Sequence, residues 1–345
     1  MTSLHPAPKP SPSVSQDDRG TPPVSVDLSV QGTATSRVFA NPDMLVRSWY
    51  VVAKSKPLRI DHPLSVEAIG RRLVLWRKTD GSVTALDARC PHLGADLGQG
   101  QIIDGALRCP FHHWRFDSAG RCVDTPDEDP LPDRCAKTYP AVDAHGLIWV
   151  YNGQDPAFEL PVSPNSGERC EFRRWLPPSQ SIGCHPHLVV GNGLDARHFG
   201  ALHGMEVAAT PRFEALDDHR LRLHLCGRPS SRWLRRFIGS HRQDITATFT
   251  TNGSNLAWAE VTQPLPLHVL FTGRPEPGNR CVTQTVFYLP KGYGLREIRA
   301  VVLMMSLLHS DRQILERLDF HRGFTDADEP FQRFVERVDA MEVES

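Results

Sequence analysis

The first folded part of the chain has short apolar runs separated by turns. Four of these runs have the length and composition of β-strands: residues 49–53, 73–76, 83–86 and 146–151. Asp80 and Gly81 lie between the second and third runs and are typical of a hairpin turn. The last run is apolar almost throughout, which predicts a strand buried on both faces. We therefore predict a small, all-β domain over residues 43–155.

The second part of the chain alternates between strand and helix patterns. Four runs predict antiparallel strands: residues 221–225, 245–249, 256–261 and 282–289. The apolar stretch at residues 301–308 is too short to cross a membrane and predicts a buried strand. Residues from about 311 to 341 have a helical pattern with a break near Gly323. Residues 156–345 are thus expected to form an α+β domain, in which a twisted sheet wraps at least one long helix.

The amino-terminal segment differs in composition from the rest of the chain. It is rich in Pro, Ser, Thr and Gly, so it cannot bury enough apolar surface to offset the entropy of ordering, and residues 1–42 are predicted to form a disordered tail. Over the whole chain, 39 basic and 40 acidic side chains nearly cancel. This balance gives no indication of nucleic-acid or membrane binding. The eight cysteines are mostly scattered and no secretory signal precedes them, which favours a cytoplasmic protein.

Two short motifs each offer one thiol and one imidazole. Cys90 and His92 form a C-x-H motif, and Cys109 and His112 form a C-x-x-H motif. Two cysteines on one iron and two histidines on the other are the ligands of a Rieske [2Fe–2S] centre, which transfers single electrons. The alternative is a structural zinc site. Zinc fingers usually pair Cys with Cys and His with His, whereas each half is mixed here, so we expect a Rieske cluster.

A second motif, D-x-x-H-x₄-H, consists of Asp195, His198 and His203. Two imidazoles and one carboxylate on one face of a metal make the facial triad of non-haem Fe(II) oxygenases. The two histidines are five residues apart, or about 140° on a regular helix. Both can reach one metal only if the helix is interrupted between them, and Gly200 is placed to permit that interruption.

The carboxylate of the triad has several candidates in the sequence. Asp195 is one, and Glu316 and Asp319 are weaker ones. Asp311 is preferred, because it is expected to follow an apolar strand directly and to open the carboxy-terminal helix. The alternative for Asp311 is a structural role as the amino-terminal cap of that helix.

Together these motifs resemble those of the oxygenase (alpha) component of Rieske non-haem iron oxygenases. The resemblance covers essentially residues 43–340. It implies that the second domain is a helix-grip catalytic domain, and that His198, His203 and Asp311 hold a mononuclear Fe(II). The implied cofactors are therefore a Rieske [2Fe–2S] cluster and one further iron.

The same resemblance implies a catalytic role for Asp195 that is not metal ligation. In such enzymes the two metals of one subunit are too far apart for fast electron transfer. Asp195 is implied to hydrogen-bond His198 on one side and the cluster ligand His112 on the other. That bridge would cross a subunit boundary in a head-to-tail homotrimer and carry the electron.

Within the family, residues 48–51 and 111–115 are similar to aminopyrrolnitrin oxygenase, an arylamine N-oxygenase. Residues 90–95 also resemble sterol 7-desaturases and ketosteroid hydroxylases, and many relatives have Gly where this chain has His113. These similarities lie mainly in the electron-transfer domain, so they leave the substrate open.

We expect an enzyme that inserts oxygen from O₂ into an apolar or aromatic substrate. Its electrons are expected from a separate NAD(P)H-dependent reductase, directly or through a ferredoxin, because no nucleotide-binding fingerprint is present. The alternatives are arylamine N-oxygenation, oxidative demethylation or desaturation and, outside enzymes, a Rieske electron carrier. Aromatic residues in the predicted substrate region are Phe213, Trp233, Phe237, Trp258 and Phe271.

Overall fold

Three small antiparallel sheets make up the first half of the protein. The computed structural model describes residues 35–126, 130–163, 171–230, 232, 235, 244–263 and 265–343. The sheets have the strand orders β1-β11-β10, β2-β3-β4-β9 and β5-β6-β7-β8. Their strands are β1 Trp49–Lys54, β2 Leu64–Ala68, β3 Arg71–Arg77, β4 Val83–Asp87, β5 Gln101–Ile103, β6 Ala106–Arg108, β7 Arg115–Phe116, β8 Cys122–Asp124, β9 Thr138–Tyr139, β10 Ala141–Ala144 and β11 Leu147–Tyr151.

These strands confirm the four that the apolar runs predict in this half. The strands β3 and β4 pair antiparallel around the predicted turn. All five residues of β11 are buried, because one side packs with β1 residues Tyr50 and Val52 and the other with Trp49 and Val51. A separate apolar cluster holds the cysteines of both Cys-His motifs, together with Trp76, Leu107 and Phe116. The two motif loops are therefore anchored in a packed core.

One large antiparallel sheet forms most of the second half. Its main path is β12-β20-β19-β18-β17-β16-β14, and β13 and β15 pair with β20 and β16. The strands are β12 Phe172–Trp175, β13 Gln180–Ile182, β14 Met205–Val207, β15 Arg212–Ala215, β16 Leu221–Pro229, β17 Ile245–Asn252, β18 Leu256–Gln263, β19 Leu267–Glu276 and β20 Arg280–Pro290. The four strands that the sequence predicts here are confirmed, with the expected antiparallel pairing.

Helices complete the second half, and two of them carry the candidate metal ligands His198 and Asp311. Among the described residues they are α1 Pro186–Gly191, α2 Ala196–Ala201, α3 Leu295–Leu315 and α4 Glu329–Ala340, with 3₁₀ turns at Asn192–Leu194 and Asp326–Asp328; a further 3₁₀ turn, Leu97–Gln99, lies in the first half. The pattern of a sheet combined with one long helix, α3, confirms the predicted α+β class. In the part of the chain described here, no helix is long and apolar enough to cross a membrane.

The predicted strand at residues 301–308 is wrong, because this segment lies inside helix α3. The helix is apolar on both sides: Leu295, Ile298 and Val302 are exposed on the outside, while other apolar residues face the sheet. In a continuous apolar run the helical periodicity is not visible, and only the length of the run helps to distinguish a strand from a helix. The same correction moves Asp311 from the start of a helix to its last turns, so its alternative role as an amino-terminal cap is wrong too.

The folded chain begins earlier than residue 43. Residues 35–42 form turns, and the side chain of Val38 is fully buried. Oδ1 of Asp339 on α4 accepts hydrogen bonds from the Ser36 hydroxyl and the Val38 amide, at 2.8 and 2.9 Å. Residues 1–34 of the predicted tail lie outside the described residues. The prediction of a tail is therefore wrong for residues 35–42, whose polar groups find partners that the sequence does not reveal.

The predicted division near residue 155 follows the arrangement of the strands. Among the described strands, no sheet combines members from before and after that position. Residues 34–345 nevertheless form one compact unit. The boundary between the two domains at residues 155 and 156 stays a prediction.

Candidate metal centres

The two Cys-His motifs lie on loops of similar construction. In the first loop the Cys90 amide donates to the carbonyl of Ala95, and in the second the Cys109 amide donates to the carbonyl of Trp114, both at 2.8 Å. Each loop therefore turns back on its cysteine five residues later. The turns require left-handed backbone, with φ of 80° at Gly94 and 60° at His113. Each motif histidine therefore lies within a short loop that a main-chain hydrogen bond closes.

The thiols of the two loops are buried, and their imidazoles are neighbours. Cys90 and Cys109 are 4% and 1% exposed. Burial, with a smaller contribution from the neighbouring Cys109, raises the pKa of the Cys90 thiol to about 11. The ring centroids of His92 and His112 are 4.6 Å apart. Metal binding would remove the thiol proton and thereby offset this burial penalty.

Two observations test whether these side chains fit a [2Fe–2S] cluster. Nδ1 of His92 is buried with no hydrogen-bond partner in the described structure, as expected of an atom reserved for a metal. A single zinc ion would gather all four ligand atoms closely. Among the described residues, three or more potential metal-ligand atoms come within 4.8 Å of one another only in the group of His198, His203 and Asp311. The residues therefore fit a two-iron cluster better than one tetrahedral ion.

Aromatic residues cover the imidazole side unequally. Trp114 is buried and stacks on His92, with centroids 4.4 Å apart and planes at 1°. Phe111 lies 3.8 Å from the His112 centroid but is 61% exposed, and Leu93 is 66% exposed. The histidine side of the site therefore borders an exposed apolar surface.

The short helix α2 orients His198. The Asp195 carboxylate caps this helix, with Oδ1 accepting from the amides of Arg197 and His198 at 2.9 and 3.3 Å. Nδ1 of His198 hydrogen-bonds the main-chain carbonyl of Asp195. A carbonyl can only accept, so Nδ1 carries the proton and Nε2 is left free as a metal ligand. The contact that resemblance implies between these two residues thus runs through the main chain, while the carboxylate holds the helix.

The helix ends at Ala201, so the predicted interruption before His203 is present. Gly200 lies inside α2 and does not cause it. His203 lies in the turn that follows α2, and its ring centroid is 5.1 Å from that of His198. Gly204, directly after it, is left-handed with a φ of 63° and turns the chain away toward β14.

Helix α3 brings Asp311 to the two histidines. Its Oδ1 lies 3.0 Å from Nε2 of His203 and 3.8 Å from Nε2 of His198. The ligand atoms of the three residues all lie within 4.8 Å of one another. Burial lowers the pKa of His198, which favours the neutral, metal-binding form. The donor set and its spacing fit a two-histidine, one-carboxylate iron site.

The rival carboxylates have other structural roles or lie elsewhere. Glu316 accepts a hydrogen bond from the Gly183 amide at 3.1 Å and pairs with Arg280. Asp319 is exposed. Asp311 alone among the candidates lies beside both imidazoles, and its role as an iron ligand stays a prediction that this geometry supports.

A cavity of about 470 Å³ opens beside the three ligands. It lies between α3 and the concave face of the sheet, and most of its lining is apolar. Of the aromatic residues considered in the sequence, Phe271 lines it. Trp258 belongs to a separate buried cluster, and Phe213 is half-buried on β15 and does not line the cavity. Trp233 and Phe237 lie outside the described side chains.

Several cavity residues were missed by the sequence reasoning. Phe199 and Phe249 line the wall next to His198, with ring centroids 5.3 Å apart. Arg296, Arg299 and Leu303 line it from α3. The last three lie in or near a segment whose helical period is hidden, so no pattern identified their common face.

Comparison with known proteins places these observations in a family context. Residues 48–140 match the model of the Rieske [2Fe-2S] domain. Cholesterol 7-desaturase of Bombyx mori is 34% identical over 167 residues, which are 47% of this chain and 36% of that protein. Aminopyrrolnitrin oxygenase of Pseudomonas fluorescens is 33% identical over 186 residues, or 51% of this chain and 50% of that protein. The matched segments thus cover half or less of these relatives.

Solved structures share the fold over most of the chain. Dicamba monooxygenase bound to dicamba has a TM-score of 0.62 and 22% identity, covering 86% of this chain and 97% of that one. The NdmA protein of Pseudomonas putida CBB5 has a TM-score of 0.64 and 16% identity, covering 87% and 96%. At such identities the likeness shows the fold alone. The chain therefore contains a Rieske [2Fe–2S] domain, is similar in sequence to aminopyrrolnitrin oxygenase over about half its length, and shares the fold of dicamba monooxygenase.

Proposed function

We propose that this protein is the oxygenase component of a multi-component Rieske system, acting on an apolar or aromatic organic substrate. One observation carries the proposal: two imidazoles and one carboxylate, buried or half-buried, border a large and mostly apolar cavity in the same chain as the Rieske domain. A pure electron carrier has no use for such a cavity. Arrangements of this kind are typical of non-haem Fe(II) oxygenases.

The candidate site residues have separate roles in this proposal. Cys90, His92, Cys109 and His112 would hold the cluster, and His198, His203 and Asp311 the mononuclear iron. When bound, the two metal groups supply single electrons and activation of O₂. The main-chain carbonyl of Asp195 orients the imidazole of His198, and the apolar wall excludes water from the side where the substrate binds.

The names of the relatives suggest which types of oxidation to consider. These names are cholesterol 7-desaturase, aminopyrrolnitrin oxygenase and 3-ketosteroid-9-alpha-monooxygenase, oxygenase component. We propose hydroxylation or a related oxygenation as the first candidate, with N-oxygenation, demethylation and desaturation as alternatives. The volume of the cavity lies within the usual range for a ligand of several rings. Phe199, Phe249 and Phe271 line the cavity.

We further propose that the electrons come from a separate reductase, directly or through a ferredoxin. A relative from Rhodococcus rhodochrous is named an oxygenase component, which supports a divided system. The exposed side chains of Leu93 and Phe111, next to the cluster histidines, are suited to contact with another protein. A head-to-tail homotrimer, in which Asp195 of one subunit meets His112 of the next, stays part of this proposal.

A cytoplasmic location is proposed on the basis of cysteine chemistry. All described cysteines are free thiols. Free thiols in a chain with so many cysteines are typical of a reducing compartment.

The test combines metal analysis with product detection. The full-length protein is reduced anaerobically, mixed with O₂ and a panel of aromatic amines, methylated aromatics and steroids, and the products are read by mass shift. Oxygenated, demethylated or desaturated product supports the proposal. Absence of any iron beyond the cluster, with no product from the panel, would instead support the alternative of a Rieske electron carrier.

A further inference from the structure

Helix α3 presents one continuous face to the cavity along its whole length. Cavity-lining positions recur every three or four residues from Arg296 and Arg299 through Leu303 and Leu307 to Asp311. Such spacing places all of them on the same side of the helix. At a rise of about 1.5 Å per residue, Arg299 lies roughly 18 Å from Asp311 along the axis, and Arg296 roughly 22 Å. The cavity thus has a metal-binding end and a distant cationic end.

The two arginines have no acidic partner in the part of the chain described here. The acidic side chain between them, Glu297, is engaged elsewhere, because it pairs with Arg173 at 3.2 Å and accepts the Tyr293 amide at 3.0 Å. No ion pair or side-chain hydrogen bond joins Arg296 or Arg299 to any described residue. Both are exposed at the edge of the cavity, so their positive charge is available to a ligand.

The wall between the two ends is mostly apolar, with Thr285 as a polar exception beside Phe271. Leu303 and Leu307 contribute from α3, and Val261, Leu267 and Phe271 contribute from the sheet. A polar ligand body would lose hydrogen bonds to water along this stretch without replacing them. A single-ring molecule bound at Asp311 would be too short to contact the arginines.

The geometry points to a substrate with a long apolar body that ends in an anionic group such as a carboxylate. This inference rests on the proposed function and refines its substrate class. The apolar body lies along α3, its reacting end faces the three metal ligands, and the anion pairs with Arg296 and Arg299. Charge at the far end would then fix the distance by which the body enters, and so select which carbon or nitrogen lies at the metal.

Binding of charged and neutral probes tests this assignment. Lithocholate and hexadecanoate are each compared with their methyl esters by calorimetry, using the metal-loaded full-length protein. We expect each acid to bind about three- to thirtyfold tighter than its ester, the range that two exposed charge pairs supply. The preference should shrink as salt is raised.

Variants locate the source of the preference. The double variant R296Q/R299Q should bind acid and ester within about twofold of each other, with unchanged ester affinity. R317Q removes an exposed arginine just beyond α3 that does not line the cavity, and should keep the preference. The single variants R296Q and R299Q should show intermediate values, which keeps the test open if the double variant folds poorly.

Three outcomes overturn the inference: equal affinity of acid and ester in the unchanged protein, no binding of either scaffold, or an undiminished preference in R296Q/R299Q. These are distinct from failure of the proposed function. If acids and esters bind equally and are both oxidised, only the substrate class is wrong. If the acids bind through the arginines but the protein carries no mononuclear iron, only the proposed oxygenation is wrong.

Discussion

The two candidate metal centres are built in opposite ways. The four cluster residues lie on two loops within 23 positions of the chain, from Cys90 to His112, and both loops close on their own cysteine amide. The second centre joins a short helix, the turn after it, and Asp311 more than a hundred positions later on α3. A local site is readable from spacing alone. A site assembled from distant elements depends on the packing of a helix against a sheet, so it responds to changes far from the ligands.

The largest expected effect comes from the one distant ligand. Asp311→Ala should remove the mononuclear iron and lower turnover by more than about a hundredfold, because two imidazoles alone hold Fe(II) weakly. The visible spectrum of the Rieske cluster should stay unchanged. Metal analysis and electron paramagnetic resonance measure both.

Asp319→Ala is the matched control, since it removes an exposed acidic residue from the same part of the chain. It should retain iron and activity. If Asp319→Ala lost the iron and Asp311→Ala kept it, the ligand assignment would be wrong.

A second prediction concerns the helix cap beside His198. Asp195→Asn should keep both metals, because Asn caps helices about as well as Asp. Turnover should fall by about a hundredfold or more if the carboxylate takes part in electron transfer between centres. Single-turnover kinetics of the pre-reduced protein would measure the transfer step.

Asp195→Ala separates the two roles of this residue. It should also destabilise α2 by about 1 kcal/mol, because the amides of Arg197 and His198 lose their acceptor. Near-normal turnover in the Asn variant would remove the carboxylate from the electron path and leave it only a structural role.

A smaller effect on iron binding is expected from loss of the hydrogen bonds between α3 and the edge of the sheet. Arg312 binds the side chain of Gln180 at 3.3 Å and the carbonyl of Ser181 at 3.2 Å, directly next to Asp311. Arg312→Ala should speed loss of the mononuclear iron by about tenfold, as outer contacts of metal ligands do. Iron release to a chelator measures this, with Arg317→Ala as control. Equal release rates in both variants would show that this contact does not position Asp311.

The smallest expected effect lies in the Rieske loops. His113 has a φ of 60°, a conformation that costs a residue with a side chain about 1 kcal/mol. His113→Gly should therefore raise the melting temperature by about 1–2 °C and leave the cluster spectrum unchanged. A lower melting temperature would mean that the side chain of His113 contributes contacts that outweigh the backbone strain.

The difference between the two centres also explains which parts of the fold and of the sites can be predicted from the sequence. The Cys-His loops and most strands follow from spacing and alternation, which are local properties. The prediction of Asp311 rests partly on a mistaken premise, because this residue lies inside a helix and does not follow a strand. The structure nevertheless places its carboxylate beside both imidazoles, and its role as a ligand stays a prediction. Arg296, Arg299 and Phe249 were not recognised as cavity residues, because nothing local tells which face of α3 meets the sheet.

The ordered structure of residues 35–42 could not be predicted for the same reason. Val38 and Ser36 lie in a segment of tail-like composition, yet Asp339 supplies their partners from the opposite end of the chain. Composition measures the tendency of a segment to fold alone. Composition does not show that a distant helix supplies hydrogen-bond acceptors to the segment.

The most direct test of two separate iron centres is the ratio of iron to inorganic sulfide in the purified, fully loaded protein and in Asp311→Ala. We expect about three irons and two sulfides per chain in the unchanged protein, and about two of each in Asp311→Ala. Zinc in place of iron, or the same ratio in both proteins, would contradict it.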